Sequence, residues 1–216
     1  MNSRVILVSD NRSSLRSPDT LLWPDAACMR GIHTGEWTAH IFEYAMSFEG
    51  NMTQVRELAA ANGVGVLHPH GALATDPPGL VVCDVDSTVT RTEAIDLLAE
   101  CAGKADEVRE ITTRAMAGEL DFAQSLYARV RCLERLHIGA LEEARKATVV
   151  TPGTAELVAA AHEVGAAVGL VSGGFTALVD PLAEQIGADF AASNELEIVD
   201  NHLTGRVVGD IIDRAA

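Results

Sequence analysis

The stretch that decides the fold is Gly79-Leu80-Val81-Val82-Cys83-Asp84-Val85-Asp86-Ser87-Thr88-Val89-Thr90, an apolar run that ends in two carboxylates followed by hydroxyls. The apolar residues from Leu80 predict a parallel strand buried on both faces, because β-branched valines recur without polar alternation. Ligands of open α/β sheets bind beyond the carboxyl ends of the strands, where Asp84 falls. Asp84 and Asp86 are two residues apart in an extended segment, so their side chains project to the same side.

Two neighbouring carboxylates repel each other unless a cation or a shared proton lies between them. The pair Asp84 and Asp86 therefore predicts a divalent-metal site, an acid/base function, or both. A solvated turn is the commonest alternative for an Asp-x-Asp pair, and the strong strand before this pair argues against it. A calcium loop needs Gly at its sixth position and Glu at its twelfth, where this chain has Val89 and Ile95. The sequence therefore excludes a calcium loop.

Composition narrows the class of protein. The 216 residues are 48% hydrophobic and 22% charged, which is typical of a soluble globular protein with one ordinary domain and a small one. A net charge of −15 repels phosphate backbones and argues against nucleic-acid binding. The start lacks the pattern of a signal peptide, and Glu156, His162 and Glu163 interrupt the most apolar helix-length region. We expect a cytoplasmic protein without a membrane partner.

A turn-rich stretch at 68–79 divides the chain. The elements predicted before it are strands at 4–8, 38–48 and 63–68 and a helix at 51–62. The strand before Asp84 follows this stretch, and helices are predicted after it at 92–101, 105–117, 122–136 and 141–147. Four successive helices favour an inserted cap over a simple crossover. A helix at 154–164 and a second buried strand at 166–171 come next. We expect a small α+β domain over 1–76 and an α/β domain over 77–216 with a helical cap at about 92–149.

The second strand is followed by Ser172-Gly173-Gly174 and a helix predicted over 175–186. A strand, a glycine turn and a helix start form an anion site, because unpaired N–H groups and the helix dipole point outward. Glycine allows the backbone to approach an oxyanion closely, and Ser172 adds a hydroxyl donor. A tight turn without a ligand is the alternative interpretation.

Four segments together resemble the phosphoserine phosphatase family of the haloacid dehalogenase-like superfamily. They are Asp84-Val85-Asp86-Ser87-Thr88, Arg114-Ala115-Met116-Ala117-Gly118-Glu119-Leu120-Asp121-Phe122, Ser172-Gly173-Gly174-Phe175 and Ala192-Ser193-Asn194-Glu195-Leu196. The resemblance covers residues 77–216, and it implies a Rossmann-like parallel sheet, incomplete here, with an inserted helical cap. The N-terminal part is similar in placement to the small accessory domain of some bacterial members.

The resemblance implies an Mg²⁺-dependent enzyme of serine biosynthesis that hydrolyses O-phospho-L-serine to L-serine and phosphate. Asp84 would attack phosphorus and become an aspartyl-phosphate. Asp86 would first protonate the leaving serine oxygen and then deprotonate the attacking water. Mg²⁺ would be held by the Asp84 carboxylate and the Asp86 carbonyl oxygen. The implied partner is a small molecule, and a homodimer is a further possible assembly.

The resemblance also implies a set of substrate contacts. These are Glu93 for the ammonium group, Arg129 for the carboxylate, Ser172, Gly173 and Gly174 for the phosphate, and Met116 and Phe122 for cap closure and exclusion of water. A solvated helix face is the plainer interpretation of an arbitrary Glu or Arg. The position of Glu93 and Arg129 relative to the matched segments favours the substrate role.

The resemblance is incomplete at the end of the chain, Ala216. Family members continue into a helix with a lysine beside the phosphate and a Gly-Asp-Gly-x-x-Asn-Asp segment whose aspartates bind the metal. We therefore expect a chain shortened relative to the family, with half of its metal site missing and its activity in doubt. Asp189 and Asp210 are considered as substitute ligands. The alternative functions are a non-catalytic fragment that binds phosphoserine or serine, and a related small-molecule phosphatase.

Overall fold

The structure, a computed structural model, describes residues 3–9, 27–33, 38–44, 52–69 and 71–213, in two units, Met1–Pro77 and Pro78–Ala216. The first unit contains β1 (Ser3–Ser9), β2 (Ala27–His33), β3 (Thr38–Tyr44), α1 (Met52–Ala61) and β4 (Gly65–Leu67). Its strands form an antiparallel sheet in the order β2-β3-β1-β4. Val5 and Leu7 of β1 are fully buried, because alternate residues of a strand face the same side.

The first unit agrees with the sequence pattern where that pattern is local and periodic. The strands expected at 4–8 and 63–68 and the helix expected at 51–62 are present within the described residues. The strand expected at 38–48 is described as far as Tyr44, and positions 45–48 lie outside the described residues. Strand β2 was not predicted, because its apolar residues follow no regular period.

The second unit is built on a mixed sheet. Its strands are β5 (Leu80–Cys83), β6 (Ala167–Phe175), β7 (Phe190–Val199) and β8 (His202–Val208), in the order β5-β6-β7-β8. The pairs β5–β6 and β6–β7 are parallel, which confirms the α/β class, and β8 returns as an antiparallel hairpin that was not predicted. A Cβ at Gly169 of β6 would collide with the Phe190 ring, so a glycine there lets that ring lie on the strand.

Strand β5 is not buried on both faces, contrary to the sequence-based expectation. Leu80 and Val82 are 53% and 51% exposed, whereas Val81 and Cys83 on the other face are half-buried. In the described part of the chain, β5 is the edge of the sheet, and the face that carries Leu80 and Val82 is open to solvent. An apolar run therefore predicted the strand correctly and its burial wrongly.

Four helices lie between the loop after β5 and the rest of the sheet. They are α2 (Ala94–Cys101), α3 (Ala105–Met116), α4 (Phe122–Arg131) and α5 (Gly139–Ala147). The segment that leaves the sheet and the segment that returns to it lie side by side. The Arg91 N–H donates to the Val149 carbonyl and the Thr151 N–H to the Val89 carbonyl, both at 2.8 Å. The four helices are therefore an insertion.

The insertion and the sheet share one hydrophobic core, which includes Leu98, Leu126 and Leu133 from the insertion and Phe175 and Leu196 from the sheet. A second core lies under the sheet, where α6 (Thr154–Glu163) and α7 (Thr176–Ile186) pack against β6. Helix α4 ends five residues earlier than the predicted 136. The chain turns there because the Arg135 N–H donates to the Leu203 carbonyl of β8 at 2.8 Å.

None of the helices in the described ranges has the length and apolar character needed to cross a bilayer.

Candidate active site

The two carboxylates lie at the end of β5, on a wide turn over Val85–Val89. The Val89 N–H donates to the Asp84 carbonyl five residues earlier at 3.4 Å, and the two valines that bound the turn are buried. Asp86 (ψ 130°) and Ser87 (φ 57°) leave the helical conformation. The buried valines therefore anchor the turn, while the polar residues between them reach the carboxyl edge of the sheet.

Asp84 and Asp86 have different environments. Asp84 is exposed and accepts a hydrogen bond from the Thr88 hydroxyl at 3.3 Å. Asp86 is half-buried, and its Oδ1 accepts the Ala94 N–H at 2.9 Å. Asp84 is thus open to an incoming ligand, and Asp86 is held against the start of α2.

Burial raises the pKa of the Asp86 carboxyl from 3.8 to about 6. The Ala94 N–H lowers this pKa, the negative charges of Glu93 and Asp84 raise it further, and the Arg129 guanidinium lowers it slightly. A carboxyl with such a pKa can hold a proton and release it again near neutral pH, which suits a general acid/base.

The segment Ser172-Gly173-Gly174 is not the glycine turn expected from the sequence. Strand β6 continues through it to Phe175, and α7 begins only at Thr176. Its pairing with β7 is interrupted between Val171 and Phe175, and neither glycine has a positive φ. The predicted glycine turn is therefore wrong, whereas the helix predicted over 175–186 is confirmed to within one residue.

The two glycines are needed for close approach. A Cβ at Gly174 would lie 2.8 Å from Asp86 Oδ2 and 2.9 Å from Ser172 Oγ. A Cβ at Gly173 would lie 2.9 Å from the Phe122 ring. Ser172 is buried, and its hydroxyl accepts the Gly174 N–H at 2.8 Å, so this side chain orients the glycine backbone from below.

These elements enclose a cavity of about 240 Å³. Its lining residues are Asp84, Asp86, Glu93, Ile95, Phe122, Leu126, Arg129, Gly173, Gly174 and Phe175. All of the site residues expected from the sequence line it except Met116 and Ser172. Ser172 lies beneath the lining glycines. Met116 is 85% exposed at the end of α3, and its role in closing the cap stays a prediction.

Helix α4 supplies one wall of the cavity. Phe122, Leu126 and Arg129 are spaced by four and three residues, so they lie on the same helical face. A reciprocal capping box between Asp121 and Gln124 determines where this helix begins. The wall is therefore apolar at its start and carries a guanidinium near its end.

Arg129 is half-buried, and its Nε donates to the Ser125 carbonyl at 3.3 Å. Burial lowers the pKa of Arg129, while the nearby carboxylates of Glu93 and Asp96 oppose this change. Within the described residues, its guanidinium makes no direct ion pair. It is therefore available to an anionic group of a ligand.

Sequence reasoning assigned no role to Asn194, a buried residue of β7. Its amide nitrogen donates to the Gly173 carbonyl at 3.0 Å, and its Oδ1 accepts the Ile212 N–H at 2.9 Å. Asn194 thus holds one of the lining glycines in place. The sequence indicated this residue only through the Ala192-Ser193-Asn194-Glu195-Leu196 segment, which resembles the family but was given no role.

The fit of the cavity to a divalent metal is partial. The cavity is lined by three carboxylates, those of Asp84, Asp86 and Glu93, and by one guanidinium. This excess of negative charge suits a cation. Mg²⁺ prefers six oxygen ligands, however, and no group of three or more His, Cys, Asp or Glu side chains in the described ranges is arranged to hold a metal ion. The lining carboxylates alone therefore do not make up a full set of ligands for such an ion.

Asp189 and Asp210, proposed above as substitute ligands, are not among the residues that line the cavity. Asp189 accepts the Val168 N–H at 2.7 Å and contacts His162 at 3.0 Å, at the amino ends of the parallel strands and opposite to the cavity. Asp210 does not line the cavity. The hypothesis that these two aspartates act as metal ligands is therefore wrong for Asp189, and for Asp210 it stays a prediction.

Comparison with known proteins places this site in a family. The sequence profile of haloacid dehalogenase-like hydrolases matches residues 81–216. A phosphoserine phosphatase of Streptomyces coelicolor is 50% identical over 157 residues, which are 73% of this chain and 38% of that protein. The chain therefore spans about two fifths of the length of this relative.

Two solved structures resemble both units. A probable phosphoserine phosphatase from Vibrio cholerae has a TM-score of 0.75 and 32% identity, over 97% of this chain and 64% of that one. A haloacid dehalogenase family hydrolase from Salmonella enterica serovar Typhi has a TM-score of 0.84 over 97% of this chain and 73% of that one. Because the two sequences are only 20% identical, this likeness is evidence for the fold alone. Because the profile match spans the sheet, the insertion and both carboxylates, the chain belongs to the haloacid dehalogenase-like hydrolase family.

Proposed function

We propose that the cavity binds O-phospho-L-serine and that the chain is a phosphoserine phosphatase or the substrate-binding part of one. One observation carries this proposal: Glu93 and Arg129 line the same small cavity without neutralising each other in a direct ion pair. Opposite charges held apart suit a ligand that carries both an ammonium group and a carboxylate. The Streptomyces coelicolor relative, named a phosphoserine phosphatase, supports the same substrate.

The phosphate of this ligand would lie between Asp84 and the backbone of Gly173 and Gly174. Asp84 attacks phosphorus, and the new carboxylate–phosphorus bond forms as the bond from phosphorus to the serine oxygen breaks. Asp86 gives its proton to the departing serine oxygen. Water then attacks phosphorus and passes a proton to Asp86, which releases phosphate and restores Asp84. The exposure of Asp84 and the raised pKa of Asp86 support this division of roles.

We propose Mg²⁺ as the cation, with the Asp84 carboxylate and the Asp86 carbonyl as its ligands from this chain. A bound Mg²⁺ would offset the negative charges of the two aspartates and the phosphate. We further propose a cytoplasmic role in serine biosynthesis, an accessory role for the N-terminal domain, and a homodimer as one assembly to test.

Arg129→Ala tests the substrate, and Arg131→Ala, an exposed position two residues further along the chain, is the matched control. Removing one partner of a charge-assisted pair in a closed site costs roughly 2–5 kcal/mol. We expect Arg129→Ala to weaken O-phospho-L-serine binding by at least about thirtyfold and to spare O-phosphoethanolamine, which lacks the carboxylate. Calorimetric titration measures both affinities. Equal losses for the two ligands would contradict the proposed role of Arg129.

A binding module without turnover is the second candidate, and it is favoured because no three acidic, His or Cys side chains in the described ranges are arranged to hold a metal ion. Release of inorganic phosphate from O-phospho-L-serine in the presence of Mg²⁺ separates the two. Binding without phosphate release would identify the chain as the binding module.

A further inference from the structure

Ser87 makes a contact that the proposed chemistry does not use. Its hydroxyl donates to Glu93 Oε1 at 2.5 Å, across six positions of the chain. A hydrogen bond from a hydroxyl to a carboxylate at this distance is among the strong ones in proteins. Ser87 has a φ of 57°, in the left-handed region that serine seldom occupies. A strained residue persists where its surroundings determine its conformation, and here Glu93 is the partner.

This contact is one half of a two-point link between the turn after β5 and the start of α2. The other half joins the neighbouring residues, because Asp86 Oδ1 accepts the Ala94 N–H at 2.9 Å. Glu93 stands at the N-cap position of α2, but its side chain makes no capping hydrogen bond. Its carboxylate is therefore held by Ser87 rather than by its own helix.

We infer that Ser87 is a positioning residue that fixes the Glu93 carboxylate and thereby sets the preference of the cavity for phosphate esters that carry an ammonium group. The Ser87 hydroxyl engages one carboxylate oxygen of Glu93, and within the described part of the chain the other oxygen accepts no hydrogen bond and can receive the ligand. A free glutamate side chain has three rotatable bonds, so fixing it in advance reduces the entropy lost when an ammonium group binds. This inference rests on the proposed function, since it needs a ligand that Glu93 recognises.

The hydroxyl and the backbone of Ser87 are separable by mutation. Ser87→Ala removes the hydroxyl and keeps a side chain at a positive φ. Ser87→Gly also removes the hydroxyl and relieves the backbone strain. If the hydroxyl acts through Glu93, the two variants change ligand preference equally.

The experiment compares two ligands on the full chain by calorimetric titration. One is O-phospho-L-serine, and the other is 3-phosphonooxypropanoate, which lacks only the ammonium group. We expect Ser87→Ala and Ser87→Gly to weaken phosphoserine binding by about tenfold, the scale of a hydrogen bond to a charged group, and the deamino ligand by less than about twofold. Thr113→Ala, which removes an exposed hydroxyl bonded to the Arg109 carbonyl outside the cavity, should change neither.

A double-mutant cycle with Glu93→Gln tests whether Ser87 acts through Glu93. The double variant Ser87→Ala/Glu93→Gln should bind phosphoserine as weakly as Glu93→Gln alone. Once the Glu93 carboxylate is gone, removing Ser87 has no further interaction to weaken. Additive losses, or equal losses for both ligands in the Ser87 variants, would overturn this inference and leave the proposed function intact. A wild-type chain that binds neither ligand, or that does not prefer phosphoserine, would overturn the proposed function and this inference with it.

Discussion

Replacing Asp86 with asparagine should stabilise the metal-free protein at neutral pH. The pKa of this carboxyl is 3.8 in an ordinary environment and about 6 in the folded chain, so folding favours its protonated form. The resulting stabilisation is complete below about pH 4 and is lost as the pH rises through 6. The difference between these two pKa values corresponds to about 3 kcal/mol of free energy. Because part of the side chain reaches solvent, we expect Asp86→Asn to raise the unfolding free energy by about 1–2 kcal/mol at pH 7.

Asparagine retains the oxygen that accepts the Ala94 N–H, so the comparison isolates the charge. The assay is urea unfolding in a chelating buffer at several pH values between 4.5 and 7.5, followed by far-UV circular dichroism, which reports mainly the helices of the second unit. Asp180→Asn, at an exposed position of α7, is the matched control for the loss of one carboxylate. An Asp86→Asn effect that is absent at pH 7, or the same at every pH, would refute the argument from burial.

Three further outcomes are expected. In a form of the protein that hydrolyses phosphoserine, Asp84→Asn should fold normally and form no acyl-phosphate when labelled phosphoserine is added, and wild-type turnover would exclude Asp84 as the nucleophile. Gly174→Ala places a Cβ 2.8 Å from Asp86 Oδ2, and we expect phosphate binding to fall about tenfold from this overpacking. An unchanged affinity would show that close approach is not required there. Leu133→Ala, at a fully buried position, should lower the unfolding free energy by about 2–5 kcal/mol in denaturant titrations, and a loss below about 1 kcal/mol would contradict the core assignment.

Features that depend on neighbouring residues were predictable from the sequence. The strand before Asp84 and the helices of the insertion were found at nearly their observed positions, because periodicity and caps such as the Asp121–Gln124 box act over a few residues. The meeting of Asp84 with the Ser172–Gly174 segment followed from one rule, since parallel strands end at the same edge of a sheet.

Features that depend on distant residues required the tertiary structure. Helix α4 ends where Arg135 pairs with Leu203 of β8, a contact between residues 68 positions apart that no local pattern contains. The sequence predicted a glycine turn after Val171, whereas in the structure Gly173 and Gly174 allow the close approach of Phe122 and Asp86.

The sequence by itself predicted the α/β class, through local periodicity, and it indicated the family and the residue types of the cavity through the resemblance of four segments. Only the tertiary structure decided which side chains share the cavity, how far burial and neighbouring charge raise the pKa of Asp86, and that Ser87 holds Glu93. It also placed Asn194 behind Gly173 and left Met116 outside the lining. Burial, electric field and hydrogen-bond partners depend on the distances between segments, and those distances exist only once the chain has folded.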